Sequence, residues 1–221
     1  MCGRYDLIVT PKQIATTFTV EVPWDFEASY NIAPNQPVFA IINTHNEQAQ
    51  AVWLHWGLIP AWAKDPKISH HLINARAETV AEKPSFRSAF KKRRCLICAT
   101  GFYEWQHSTS GKQAYRICPI DKQVFAFAGL WEHWQIQGQS IYSCTIITTA
   151  AANDLMLPIH ARMPVILPQM HYQTWLASTS TEDSLQHLLH TDGYDHFHTY
   201  PVSSYVNNPQ HNDIHCISPI K

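Results

Sequence analysis

Apolar and polar residues alternate along several stretches of this chain, a period of two that is typical of β-strands with one buried face. The alternation is clearest in residues 51–59, which follow an almost wholly apolar run at residues 38–44. The apolar face of residues 51–59 consists of Val52, Leu54, Trp56 and Leu58. Strand-like runs recur at residues 95–105, 114–120, 123–131 and 141–149. The pattern predicts a molecule whose centre is built from strands.

Helical signals are fewer, and the first lies near the N-terminus. Thr10 is followed by Pro11. This order predicts a helix from Pro11 to about Phe18, because threonine caps helix N-termini well and proline suits the first turn. Residues 22–37 are rich in proline and predict an irregular segment over the surface.

Two later segments also carry helical patterns. Residues 85–94 predict a short helix capped by Ser85, and the cations at its C-terminus indicate a solvated end that complements the helix dipole. Two more helices are expected near residues 169–191, the second capped by Ser180. Strands in the middle with helices around them indicate the α+β class. We expect one domain over residues 1–221, with a curved, mainly antiparallel sheet or open barrel flanked by helices.

The composition supports a folded core and narrows the range of partners. Of the 221 residues, 45% are hydrophobic and 12% aromatic, which is enough for a full core. Only 15% are charged, which argues against a long disordered tail. The formal net charge is -1, so binding to nucleic acid would require a local groove rather than overall attraction.

Targeting signals and cysteine usage indicate the compartment. No apolar run approaches the roughly 18 residues that cross a bilayer. Met1 is followed by a thiol, a glycine and an arginine rather than by the apolar region of a signal peptide. The cysteines are scattered, mostly within strand-like runs, which favours reduced thiols over a disulfide scaffold. We therefore expect a cytoplasmic protein without a membrane partner.

The N-terminus offers two reactive groups on adjacent carbons. Removal of Met1, which is sterically easy before a small residue, would leave Cys2 with both an α-amine and a thiol. Their ordinary pKa values are about 7.7–8.0 and about 8.5, so both are partly deprotonated near neutrality. The amine can condense with an aldehyde to an imine, and the thiol can then close on that carbon as a five-membered thiazolidine. Position 2 alone, however, favours a small buried apolar residue.

Six further motifs stand in order after the opening MCGR. They are YNIAP (30–34), WGLIPAW (56–62), NARAET (74–79), GFYEW (101–105), AGLWE (128–132) and HARMPVIL (160–167). With this set the chain resembles the SOS-response-associated peptidase (SRAP) family of abasic-site shielding proteins, over nearly its whole length and most weakly in residues 168–200. Each motif alone is a weak signal, whereas seven in one order with sensible spacing are specific.

The resemblance implies both a function and a partner. Members of the family remove their own Met1, bind single-stranded DNA or its junction with duplex, and trap the ring-opened abasic site on Cys2 as a thiazolidine crosslink. A lyase or crosslink-reversal activity is implied with it. We expect no cofactor, no metal, and a monomer that associates with the nucleoid when DNA is bound. The family's functional positions match Cys2, Asn74, Glu104 and His160 here.

These residue types suit the implied roles. The Asn74 amide can both donate to and accept from the N-terminus, although asparagine is also common in turns. Glu104 stands among aromatic residues, which desolvate a carboxylate and raise its pKa, so it can move protons during imine formation and Met1 removal. A salt bridge to an arginine is its alternative role. Histidine titrates near neutrality, so His160 can act as acid and base in turn, although most of the 14 histidines are expected at the surface.

Binding to DNA needs cations for phosphates and aromatic faces for bases. The residues expected to contact DNA are Arg4, Asn31, Pro34, Trp62, Arg76, Thr149 and Arg162. The three arginines match family positions and would hold phosphates. Trp62 would stack on bases or wedge between them, unless it packs in the core. Thr149 would cap a following helix, whose N-terminus would attract phosphate, unless capping is its whole role.

Two departures from the family pattern affect the expected site. Thr100 stands where the family often has aspartate before GFYEW, and Ala161 stands where it often has aspartate between the histidine and the arginine. Because alanine replaces that aspartate at position 161, Arg162 lacks one possible acidic partner, or His160 lacks one orienting group. We expect these departures to affect the rate of crosslink formation or reversal more than the type of reaction.

Three other functions compete with covalent capture. A zinc site would use Cys95 and Cys98, but the chain has no second cysteine pair, and side chains at odd spacing on a strand point to opposite faces. A thiol peptidase acting on other proteins would use Cys2 and His160 without needing the free α-amine. A DNA-binding module without catalysis would form no covalent adduct with an abasic oligonucleotide.

Overall fold

The computed structural model describes residues 2–44, 46–109, 111–190 and 193–220. Met1, whose removal is predicted, lies outside the described residues. The strands are β1 (Tyr5–Leu7), β2 (Ser29–Ile32), β3 (Pro37–Asn43), β4 (Ala49–Trp56), β5 (Asn74–Arg76), β6 (Arg94–Ala99), β7 (Gly101–Ser108), β8 (Gly111–Pro119), β9 (Phe125–Ile136), β10 (Gln139–Ala150), β11 (Arg162–Pro164), β12 (Ile166–Leu167) and β13 (Phe197–Pro201). The α-helices are α1 (Pro11–Phe18), α2 (Arg87–Lys92), α3 (Tyr172–Leu176) and α4 (Glu182–Leu188).

Five of these strands close into a barrel. β4 pairs with β3, β3 with β6, β6 with β9, and β9 with β10, all of them antiparallel. The ring closes through a parallel pair, β10 with β4, in which Ser143 faces His55. Closure pairs both edges of each of the five strands, which removes edges that could pair with other chains. β5 and β11 add to the sheet beside β10, and β12 adds to it beside β9.

A second sheet packs against the barrel. Its strand order is β13-β8-β7-β1-β2, and all neighbours are antiparallel. Tyr5 of β1 joins the two layers, since its ring meets Trp56 and Phe127 of the barrel at centroid distances of 5.4 and 5.7 Å. The prediction of a single α+β domain with a curved, mainly antiparallel sheet or open barrel is confirmed, with the difference that the five barrel strands close into a ring.

The first helix follows its sequence signals. α1 spans Pro11–Phe18 as predicted, and Thr10 caps it. The Thr10 hydroxyl accepts from the Gln13 backbone N–H, and the Gln13 side chain accepts from the Thr10 backbone N–H, so two N–H groups at the helix start are satisfied. The segment that follows is more regular than predicted, because Ser29–Ile32 form β2 and pair with β1.

Two predicted helix caps are wrong. α2 begins only at Arg87, and the residue before it, Phe86, makes no side-chain cap, so Ser85 lies outside the helix. α4 is capped by Thr181 rather than by Ser180, since the Thr181 hydroxyl accepts an N–H of the first turn. Local sequence places a cap only to within a residue or two, because the backbone geometry of the turn decides which hydroxyl reaches the first N–H groups.

The cationic end of α2 is solvated only in part: Lys91 and Lys92 are exposed as predicted, but the two arginines that follow are not. Arg94 is only 3% exposed. Its guanidinium donates to four backbone carbonyls, those of Phe90, Lys91, Trp175 and Ala177. Arg93 binds the Glu132 carboxylate at 2.6 Å. The last turns of α2 and α3 meet here, and their unpaired carbonyls need donors, which explains why an arginine is buried.

All six cysteines carry free thiols and are buried. No helix in the described part of the chain combines the length and the apolarity that crossing a bilayer requires.

Candidate functional site

The first residues of the chain run alongside β7. β1 and β7 are antiparallel, and the Tyr103 N–H donates to the Arg4 carbonyl at 2.9 Å, which continues the register towards the N-terminus. This continuation brings Cys2 level with the part of β7 that carries Glu104. Cys2 is 0% exposed. Burial and the neighbouring Glu104 carboxylate raise the pKa of the Cys2 thiol, so the sulfur is held in its protonated form.

Asn74 holds the backbone of Cys2. It begins β5, which runs parallel to β10 with Asn74 opposite Ile146. Its Nδ2 donates to the Cys2 carbonyl oxygen at 2.9 Å. Its Oδ1 is buried and accepts no hydrogen bond from any described residue. A buried acceptor in this state costs about 1–3 kcal/mol, and such groups in native structures call for a functional explanation.

Glu104 is a buried carboxylate in the middle of a strand. It lies opposite Tyr115 of β8 and is only 2% exposed. Burial raises the pKa of Glu104, while the charged form of the His160 imidazole opposes part of that rise. The raised pKa agrees with the desolvation expected from the aromatic residues beside it in the sequence.

The backbone of Arg162, the first residue of β11, holds the imidazole ring of His160. Its Nδ1 lies 2.9 Å from both the N–H and the carbonyl oxygen of Arg162, and these contacts fix the orientation of the imidazole. Gln106 of β7 adds a second constraint. Its Nε2 donates to the Pro158 carbonyl at 2.8 Å, which ties the segment before His160 to the strand that carries Glu104.

An open cavity of about 510 Å³ borders Glu104 and His160. The residues that line it are Glu104, Trp105, His107, Lys112, His160 and Asn207. A hydrogen bond links Asn74 to Cys2, and electrostatic coupling links Cys2 to Glu104 and Glu104 to His160. These interactions connect the four residues predicted to be catalytic, of which Glu104 and His160 line the cavity, whereas Cys2 and Asn74 are not among its lining residues.

Arg162 is bound by the carboxylate of Glu78, a residue of the same chain. Its Nη1 and Nη2 donate to the two oxygens of Glu78 at 2.6 and 3.1 Å, and Nη2 also donates to the Thr148 carbonyl at 2.6 Å. Burial is the largest single effect and would raise the pKa of Glu78, but the hydrogen bonds and charge of Arg162, together with backbone hydrogen bonds, lower it overall. Glu78, within the NARAET motif, supplies the acidic partner that Ala161 lacks. This role is not predicted from the sequence.

Arg4 and Asn31 hold the C-terminal segment against the second sheet. Arg4 Nη1 donates to Asn31 Oδ1 at 2.9 Å and to the Val206 carbonyl at 2.8 Å. Asn31 is 2% exposed, and its Nδ2 donates to the His211 carbonyl at 2.7 Å. The amide is thus enclosed by the backbone that it holds. A contact of Asn31 with DNA would require this segment to open, and it stays a prediction.

Three other predicted DNA contacts reach the surface. Arg76 ends β5 and is exposed, two residues after Asn74. Trp62 is 59% exposed and donates its Nε1 to the Pro84 carbonyl at 3.4 Å, so it does not pack in the core. Pro34 is half-buried in the turn before β3. Their positions are compatible with DNA contacts, which stay predictions.

Thr149 caps no helix, and that prediction is wrong. It lies inside β10 and pairs with Met163 of β11. The residues that follow form turns, and the Asn153 side chain closes them by accepting from the Met156 N–H at 3.0 Å. A contact between Thr149 and phosphate would have to come from a strand, without the helix N-terminus that motivated it.

Thr100 is bonded into the second sheet. Its hydroxyl donates to Asp6 Oδ1 at 2.6 Å and accepts from the Ile8 N–H at 2.8 Å. Asp6 is also bound by Arg116 at 2.8 Å. Thr100, the residue that departs from the family pattern, therefore helps to bond β1 to β7. It is not one of the residues that line the cavity beside Glu104.

Several lining residues of the cavity carry no sequence prediction. His107 and Lys112 flank a turn whose signal, Gly and Ser between two strand-like runs, is visible in the sequence. Asn207 comes from the far end of the chain and has no local signal. Within the described ranges, no group of three or more His, Cys, Asp or Glu side chains is arranged to hold a metal ion.

Comparison with known proteins gives one consistent family. Residues 1–209 match the sequence model described as SOS response associated peptidase (SRAP). The abasic site processing protein YoaM of Bacillus subtilis (strain 168) is 45% identical over 218 residues, covering 96% of this chain and 95% of that protein. The abasic site processing protein HMCES of Xenopus tropicalis is 32% identical over 267 residues, covering 100% of this chain and 78% of that protein.

A solved structure supports the same fold. The X-ray crystal structure of a protein from Bacteroides thetaiotaomicron superposes with a TM-score of 0.90 at 25% sequence identity, and the match covers 100% of both chains.

Proposed function

The chain belongs to the SOS response associated peptidase (SRAP) family, and from this premise we propose that it processes abasic sites in DNA by forming a covalent crosslink through Cys2. The relatives named above are abasic site processing proteins over most of this chain's length. The interactions that connect Cys2, Asn74, Glu104 and His160, the last two of which line an open cavity, support the same activity.

The proposed reaction starts at the α-amine of Cys2 once Met1 has been removed. The amine nitrogen bonds to the aldehyde carbon of the ring-opened sugar and forms a carbinolamine. A proton delivered to its hydroxyl releases water and leaves the imine. The thiol sulfur then bonds to the same carbon while its proton passes to the nitrogen, and the thiazolidine closes. One water is released overall.

The Asn74 amide carries this proposal. Its Nδ2 already holds the Cys2 carbonyl at 2.9 Å, whereas its buried Oδ1 accepts no hydrogen bond from the described residues. Removal of Met1 creates a new N–H donor on that same residue. Asn74 would then hold residue 2 by both its carbonyl and its amine, which fixes the amine for attack.

The state of the thiol supports amine attack as the first step. Burial and Glu104 raise the pKa of Cys2, so little thiolate is present near neutral pH. A protonated thiol is a poor first nucleophile, but its closure onto an imine on the adjacent carbon is intramolecular. Removal of Met1 is therefore required before any stable adduct forms.

Glu104 and His160 would move the protons. Because burial raises the pKa of Glu104, a larger fraction is protonated near neutrality than for an exposed glutamate, and it can donate to the leaving hydroxyl. His160, oriented through Nδ1, would return the proton through Nε2. The same pair would assist Met1 removal, reversal of the crosslink and the lyase reaction.

Single-stranded DNA, or its junction with duplex, is the proposed partner. Arg76 and Trp62 are exposed and would contact a phosphate and a base, respectively. Arg162 would contribute only where a phosphate displaces Glu78, which now occupies both of its terminal nitrogens. The reaction as written uses no cofactor and one copy of the chain.

Intact mass spectrometry of the chain mixed with an abasic single-stranded oligonucleotide tests the proposal. The expected species has the mass of the chain without Met1 plus the oligonucleotide minus one water, and it survives heating in denaturant. Cys2→Ala should give no adduct that survives this treatment, because it keeps the α-amine but lacks the thiol. Cys2→Ser should give only a labile imine that borohydride traps. The matched control is Cys118→Ser, another buried thiol, which should crosslink normally.

One further variant separates the competing functions. An extra residue placed before Cys2 removes the free α-amine and should abolish the adduct. Normal crosslinking by that variant or by Cys2→Ala would refute the proposal. Binding of the oligonucleotide without any adduct would instead indicate a DNA-binding module, and cleavage of unrelated peptides by the blocked variant would indicate a thiol peptidase.

A further inference from the structure

The rim of the cavity beside Glu104 is formed by the hairpin of β7 and β8. His107 of β7 lies directly opposite Lys112 of β8, next to the turn that joins the strands. Both side chains are exposed, and both line the same cavity as Glu104 and His160. An imidazole and an ammonium group therefore stand together at the mouth of the cavity whose inner end holds the buried acid.

Two of the three arginines that the family pattern assigns to DNA are engaged elsewhere. Arg162 is paired with Glu78, and Arg4 donates to Asn31 and to the Val206 carbonyl. Lys112, in contrast, makes no side-chain hydrogen bond or ion pair with the described residues. Among the six residues that line the cavity, Lys112 carries the one lysine or arginine side chain. An uncompensated ammonium at the rim attracts an anion that enters the cavity.

Trp105 supplies a fixed wall between the rim and the inner end. Its ring is half-buried, and its Nε1 donates to Asn207 Oδ1 at 2.8 Å, which sets the plane of the indole. Both residues line the cavity. A fixed indole face tolerates any nucleobase or sugar placed against it, because the contact does not depend on base identity.

We propose that Lys112, assisted by His107, binds the phosphodiester next to the abasic nucleotide, with Trp105 against the neighbouring nucleotide. The inference rests on the proposed function, because it places the aldehyde carbon at the inner end of the cavity, beside Glu104. A cavity of about 510 Å³ has room for an opened sugar together with its phosphate. The β7–β8 hairpin thus determines where the DNA strand enters the cavity, while Glu104 and His160 act on the sugar.

Salt-dependent binding to an oligonucleotide that lacks the aldehyde tests this subsite. The probe is fluorescent single-stranded DNA with a tetrahydrofuran residue in place of the abasic site, measured by anisotropy from low to moderate salt. Lys112→Gln should weaken binding about three- to tenfold and reduce the slope of log K against log salt by about 0.7 to 1, the loss of one phosphate contact. Lys112→Arg should restore both values.

Lys12→Gln is the matched control, since Lys12 is exposed on α1 and does not line the cavity. It should leave both affinity and slope unchanged. With aldehyde-bearing DNA below saturation, Lys112→Gln should crosslink more slowly in proportion to its weaker binding, whereas Lys12→Gln should crosslink at the wild-type rate.

The outcomes separate this inference from the proposed function. A salt slope for Lys112→Gln equal to that of the wild-type chain overturns the subsite, even when crosslinking proceeds normally. A Lys112-dependent slope in a chain that never crosslinks supports the subsite and rejects the covalent function.

Discussion

Single residues of the site are kept in states that lower stability. Asn74 leaves a buried acceptor without a donor among the described residues, and Glu104 buries a carboxylate in a strand. Each arrangement costs free energy in folding and places a reactive group where chemistry can use it. Such costs at a candidate active site are expected, because groups with shifted pKa values cluster where proton transfer occurs.

Glu104→Gln should stabilise the fold while slowing the reaction. Burial raises the pKa of Glu104 in the folded chain above its unfolded value. The native state therefore favours the protonated form, and its stability falls as the pH rises from the unfolded pKa of about 4.3 through the raised folded value. Glutamine stays neutral, so the gain in free energy of unfolding should be larger at pH 8 than at pH 4.

Urea unfolding at both pH values measures this difference, on samples whose N-terminal residue has been matched by mass spectrometry. The crosslinking rate of the same variant should fall by about 10²–10⁴-fold, the usual contribution of a positioned acid. Equal stability differences at the two pH values would contradict the assignment of Glu104 as a buried acid.

At the scale of strands, the barrel depends on a close approach of β6 and β9. Gly129 of β9 lies opposite Cys95 of β6 and Ile146 of β10. A Cβ at position 129 would lie 2.8 Å from both Cys95 Sγ and Ile97 Cδ1. The side chains of β6 fill the space over the glycine, so this residue is required by packing rather than by backbone conformation.

Gly129→Ala should therefore destabilise the chain by about 1–3 kcal/mol, the usual cost of overpacking a core. Ile97→Val removes a methyl group at the contact, so the double variant should recover part of the loss. Chemical denaturation of the two single variants and the double variant measures this coupling. Strict additivity of the single effects would show that the two positions do not compete for the same space.

At the scale of the whole molecule, one buried ion pair joins distant parts of the chain. Asp6 of β1 is 0% exposed and is bound by Arg116 of β8 through Nε at 2.8 Å and Nη2 at 3.0 Å. Arg116 also donates to the Tyr200 hydroxyl of β13 at 3.0 Å. The contact with Asp6 raises the pKa of Arg116 although burial opposes it. The network connects β1, and with it the segment that leads to Cys2, to the centre of the second sheet.

Asp6→Asn should cost about 3–5 kcal/mol, because it leaves the Arg116 charge buried without its counter-ion. Glu182→Gln breaks the exposed pair with Lys91 and should cost at most about 1 kcal/mol. Thermal and urea unfolding of both variants provide the comparison. Similar small losses in the two variants would show that the buried pair does not hold the second sheet together.

The order of strands and helices could be predicted from local patterns. The strand-like runs became β3, β4 and β6 to β10, and Thr10 caps α1 as its sequence indicates, whereas the short strands β1, β2, β5, β11, β12 and β13 were not predicted. Local sequence rules gave wrong predictions for residues whose environment is set by parts of the chain that are distant in sequence. Arg94 is buried because two helix ends meet there, and Thr149 lies in a strand because β11 pairs with it. The α+β class follows from periodicity, but closure of the barrel through a parallel pair is a long-range contact with no local signal.

For the candidate site, the sequence by itself determined the chemistry, and the tertiary structure decided the geometry. Cys2 after Met1 and the six motifs that follow MCGR supply the candidate reactive groups, because those groups are properties of residue types. Only folding brings Asn74 to the Cys2 carbonyl, pairs Glu78 with Arg162, and sets Lys112 and Asn207 at one cavity. These residues are far apart in sequence, so their contacts depend on how the sheets pack, which local periodicity does not encode.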